Sequence, residues 1–80
     1  LAALQLRQGE HASAVATYRE VLQAAPSHGN AWMGLAISLA ALDARREAVA
    51  AFSQARSSGT LSQTMDSYAA AEIVRLQASP

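Results

Sequence analysis

The sequence predicts an all-α chain of about five helices joined as antiparallel helix-turn-helix pairs, and three observations carry that prediction. Twenty of the 80 residues are Ala, the strongest helix former, while β-branched residues are scattered and form no strand-like run. Residues that end helices recur at short intervals: Gly9, Pro26 to Gly29, Asp43, and Ser57 to Gly59. Finally, the chain matches itself at an offset of 34 residues, with Leu1 and Ala2 over Leu35 and Ala36, Ala14-Val15-Ala16 over Ala48-Val49-Ala50, and Tyr18 over Phe52. A single coincidence in an Ala-rich chain means little; a set at one offset that includes aromatic over aromatic marks a repeat.

Each element follows from this punctuation. A first helix near 1–8 ends at Gly9, which occupies the same place in the period as Asp43; Asp adopts the left-handed conformation more readily than most residues and can replace Gly there. A second helix near 11–25 stops at Pro26. Ser27 or His28 then caps a third helix near 30–42. A fourth, near 45–57, ends in Ser57-Ser58-Gly59, after which Thr60 and Gln63 have the spacing of a capping box for a fifth, near 61–77. Connections of two to five residues make successive helices antiparallel neighbours. Trp32, Leu35, Ala36 and Leu39 share one face of the third helix, and Ala48, Phe52 and Ala55 one face of the fourth, so both stripes read as core. Leu61, Met65, Tyr68, Ala69, Ile73 and Leu76 form an equivalent stripe on the last.

Composition narrows the function classes. A chain of this size buries only about 60–65% of its unfolded surface, and with four aromatic residues its core must rely on closely approaching backbones. Net charge is zero, with six acidic and six basic residues interspersed, so no basic stripe is available to follow a nucleic acid. The absence of Cys removes disulfides and thiolate chemistry. No apolar run approaches the roughly 20 residues of a membrane span. All six basic residues are Arg, which together with the Ala content suggests a GC-rich bacterial genome. Leu1 opens inside an apolar pattern, so the chain reads as a piece of a longer protein, and cytoplasm and periplasm both stay open as its compartment.

No constellation points to catalysis. His11 and His28 fall at opposite ends of one expected helix, roughly 25 Å apart, and cannot share a metal. Glu10 and Asp43 stand at expected helix starts, where the helix dipole favours an acid. Glu72 sits beside the apolar stripe of the last helix; a place at the stripe's edge, paired with Arg75 or another Arg, is favoured over an unpaired buried acid. No Ser–His–acid spacing and no phosphate-binding Gly loop occurs. The chain reads as a non-enzyme without cofactor or metal.

The residues quoted above resemble the tetratricopeptide repeat, a 34-residue helix-turn-helix unit with a Trp-Leu-Gly-Tyr-Ala-Phe-Ala-Pro signature. Trp32, Leu35, Ala36, Leu39, Ala48, Phe52 and Ala55 supply it in one unit, and Leu1, Ala2, Gly9, Ala14, Tyr18, Val21 and Pro26 in the preceding partial one. The likeness covers about residues 1–60: a partial unit over 1–28, a second over 29–60, then a capping helix and tail over 61–80. Thr60 stands where the pattern has Pro, Val21 where it has Ala, and Asp66 where a further unit would have Trp. The resemblance implies a right-handed superhelical stack that presents a concave groove to a peptide or helix of a partner protein. The positions it assigns to that groove are Leu6, Arg7, Asn30, Met33, Ile37, Ala40, Ala41, Val74 and Arg75. Met33, Gly34 and Ile37 stand where a carboxylate clamp for acidic tails would need Lys, Asn or Arg, so an apolar segment is the expected occupant. The competing readings are a spacer that associates with itself through Ala-rich faces, and the docking repeat of a larger enzyme such as a glycosyltransferase.

Overall fold

Four helices, close to the expected number of about five, make up the described residues, 2–78, of a computed structural model, with side chains from residue 9 onward. They are α1 (Ala2–Ala24), α2 (Gly29–Ala41), α3 (Arg45–Ser57) and α4 (Gln63–Ala78), and no strand occurs among the described residues. The expected break at Gly9 is absent: α1 runs through it as one helix of 23 residues. Gly costs a helix only about 1 kcal/mol relative to Ala, too little to stop it without a second signal, and no Pro follows. Asp43 does turn the chain. Its φ is 63°, and the amides of Leu42, Asp43 and Ala44 return to the carbonyls of Ser38, Leu39 and Ala40. Glu10 therefore lies inside a helix and not at a helix start.

The other boundaries have local causes. Pro26 bars a continuing helix because its ring crowds the preceding residue out of the α region. His28 is the cap of α2, its Nδ1 accepting from the Ala31 amide at 3.1 Å. Gly59, at φ 72°, closes α3. The cap of α4 is Ser62, whose Oγ accepts from the Met65 amide at 3.2 Å, and Thr60 has a different task. Its Oγ1 accepts from the Gly29 amide at 3.1 Å and lies 2.9 Å from Ser58 Oγ, while Ser58 Oγ donates to the Ala55 carbonyl at 2.6 Å. Each hydroxyl carries one proton, so the direction is fixed: Gly29 N–H to Thr60, Thr60 O–H to Ser58, Ser58 O–H to the end of α3. Thr60→Val should remove this chain at nearly constant volume and cost about 1–2 kcal/mol by leaving the Gly29 amide unpaired. Thr60→Ser should restore most of it in a urea melt; equal stability of all three chains would refute the assignment.

Packing runs mainly between successive helices, α1 on α2, α2 on α3 and α3 on α4. Being central, α2 buries residues nearly all round: Gly29, Ala31, Met33, Leu35, Ala36, Ser38 and Leu39. The Ala-rich stripes give the close approach expected of them, with Ala36, Ala48 and Ala55 each at 0% exposure. The 34-residue offset also relates two interfaces. Tyr18 of α1 lies against Gly34 of α2, where a Cβ would overlap its ring. The equivalent pair on α3 and α4 is Phe52 and Tyr68, an edge-to-face contact with centroids 6.2 Å apart. Trp32 is only half-buried; its Nε1 donates to the Pro26 carbonyl at 2.8 Å, which fixes the indole at the rim of the core.

Candidate functional site

The residues expected to line the groove divide into three groups. Leu6 and Arg7 lie outside the described side chains. Asn30, Ile37, Ala41, Val74 and Arg75 are exposed and Ala40 is half-buried. Met33 is a correction: at 1% exposure it belongs to the core, because a helix packed on several sides covers even the face assigned to a groove. Ile37 and Val74 keep 41% and 67% of their surface in solvent.

Charge at this surface is organised on α4. Arg75 donates through Nε and Nη2 to the two oxygens of Glu72, at 2.6 and 3.0 Å, a bidentate pair of the strong kind. Glu72 thus sits at the edge of the stripe with Arg75 as its partner. The hydrogen bond from Arg75 holds the Glu72 carboxyl below its ordinary value against a weaker opposing effect of desolvation. Burial, followed by the neighbouring Glu72 charge, pushes the Tyr68 phenol up; its hydroxyl donates to Glu72 at 3.3 Å. Arg75 is thereby paired with a carboxylate of its own helix.

A concavity that sequence reasoning missed opens among α1, α2 and α3. It is a cleft of about 530 Å³ with Trp32, Leu22, Leu35, Leu39, Ala50 and Ala51 as its apolar wall and Gln23 and Gln54 at its edge. Arg19 and Glu47 also line it and join across it at 3.1 Å. The half-buried indole was the available signal, but three helices must be in place before the cleft exists. A smaller notch of about 270 Å³ lies among Ser27, His28, Gly29, Asn30 and Thr60.

Among the described residues, no three His, Cys, Asp or Glu side chains come together to hold a metal ion, and no helix is long and apolar enough to cross a membrane. What the geometry offers is surface: exposed aliphatic groups on α2 and α4 and an apolar cleft among α1, α2 and α3. No curated protein and no solved structure matches the chain. The family model described as tetratricopeptide repeat matches residues 5–71. That match spans most of the 80 residues, and the chain belongs to the tetratricopeptide repeat family.

Proposed function

We propose that the chain is a protein-interaction module whose concave side receives an apolar segment, a helix or an extended strand, of a partner protein. The family commonly serves as such a module. The observation that carries the specific reading is that Ile37 and Val74, two of the four large hydrophobic residues exposed among the described residues, are positions expected to line the groove. Asn30, Ala40 and Ala41 supply a small polar and aliphatic surround, Arg75 is neutralised by Glu72, and the module binds without catalysis. Burying the two aliphatic groups would contribute on the order of 1.5–3 kcal/mol each.

The test is affinity capture with the 80-residue chain beside its Ile37→Glu/Val74→Glu double variant, followed by titration of the captured partner. Both side chains are exposed, so helical content should persist while affinity falls more than about tenfold. Salt should alter affinity only modestly, since apolar contacts are not screened. An unchanged affinity in the folded double variant would overturn the groove reading.

A further inference from the structure

Exposed charges flank the cleft among α1, α2 and α3, and their order decides what the cleft fits. Leu39, Leu35 and Trp32 of α2 form its floor, a row roughly 10 Å long. Short connections make α1 and α3 each antiparallel to α2, so the two walls run parallel to one another. Arg19 of α1 and Glu47 of α3 meet across the cleft at 3.1 Å, each with more than half of its side chain in solvent. Their contact sets the two walls level at that point. Glu20 stands two residues from Tyr18, which lies against Gly34 of α2, and Arg46 stands two residues from fully buried Ala48. Two residues are about 200° of helix, so both side chains point away from the core. They occupy the outer crests of the walls, and both are exposed. Among the described residues neither makes an ion pair. Each is one residue from the Arg19–Glu47 level, so their heights agree within about 3 Å. Ile37 is two residues from both Leu35 and Leu39 and faces the opposite way, which separates this surface from the proposed groove.

Base precedes acid on both walls, as Arg19-Glu20 on α1 and Arg46-Glu47 on α3. A two-fold axis along the cleft lays α1 of one copy on α3 of another, parallel and at the same height. Arg19 then meets the partner's Glu47, Glu20 meets the partner's Arg46, and the symmetry repeats both contacts. An axis across the cleft would set acid on acid and base on base at the crests. We propose that this surface pairs with itself, two copies of the chain joining α1 to α3 and closing their clefts on each other. An exposed ion pair is worth little alone, but here the charges of both copies enter one network. The net charge of zero leaves no long-range repulsion between copies. Ala16 and Ala50, exposed and one turn from Glu20 and Arg46 on the same crests, let the facing helices approach closely. Pairing withdraws the apolar floor from water, the half-buried Trp32 included.

Charge reversal at the crests tests the pairing, since neither position belongs to the core. The unaltered chain should sediment as a dimer. Emission from Trp32, its one Trp, should shift to the blue as concentration rises. Glu20→Arg sets base against the partner's Arg46, and Arg46→Glu sets acid against the partner's Glu20. Each alone should weaken the dimer at least about tenfold. Mixed in equal amounts, the two variants should associate as tightly as the parent, because every crest contact between them joins opposite charges. Dissociation that the mixture fails to repair would overturn the two-fold pairing, and so would a dimer indifferent to both reversals. A chain that stays monomeric, with Trp32 emission unchanged by concentration, would show that the cleft takes a different occupant, and the proposal falls.

Discussion

Phe52→Ala is expected to abolish cooperative thermal melting, or to leave a chain that melts far below the parent. Among the described residues, Phe52 and Met33 are the largest fully buried side chains, and Phe52 joins α3 to the ring of Tyr68 on α4. Removing a fully buried aromatic ring costs about 3–5 kcal/mol, a large part of the 5–15 kcal/mol that ordinary domains possess. Circular dichroism against temperature provides the measurement. Since Phe52 sits where α3 must receive α4, Phe52→Leu should lose much less by keeping the site filled. A Phe52→Ala chain with the parent's midpoint would contradict the packing described here.

Ending the chain at Thr60 should have an effect of similar size. It keeps the hydroxyl chain to Gly29 but removes Leu61, which packs against the core, and α4, which buries Ala69 and Leu76 and packs Met65 and Ile73 there. Phe52 would then lose its ring contact and Arg56 its Asp66 partner. In a stack where each helix is stabilised by its neighbours, the exposed side of α3 should drive aggregation or make melting gradual. Size-exclusion chromatography with a denaturant titration would detect either result. A monomeric 60-residue chain of undiminished stability would show that α4 is dispensable.

How much of this was legible depended on whether a residue constrains its own backbone. Pro26, Asp43 and Gly59 each impose or permit one conformation, and the helices end where those residues stand. Gly9 permits a turn without requiring one, so the analogy with Asp43 failed there and two expected helices became one. The cap of α4 was misassigned from Thr60 to Ser62 for a related reason. A hydroxyl at a plausible capping position can be claimed by a distant donor, here the Gly29 amide, 31 residues earlier. At the candidate site, helical spacing grouped positions expected on one side of each helix, and the structure shows Ile37 and Val74 as exposed. Spacing could not tell that Met33 is enclosed, because that depends on how closely the other helices approach α2. The cleft beside Trp32 was beyond reach for the same reason.

The hydroxyl chain through Thr60 and Ser58 bears on how the fold comes apart. A row of helices packed mainly on sequential neighbours would ordinarily fray from either end, each hairpin opening as its own cooperative unit. Here the first amide of α2 is held by the loop that follows α3, and the same loop reaches the last turn of α3. Opening that loop releases the start of the central helix, and lifting the central helix strips the loop of its donor. The two ends of the α2–α3 hairpin are therefore latched to each other, and the middle of the protein opens as a unit while α1 and α4 detach around it.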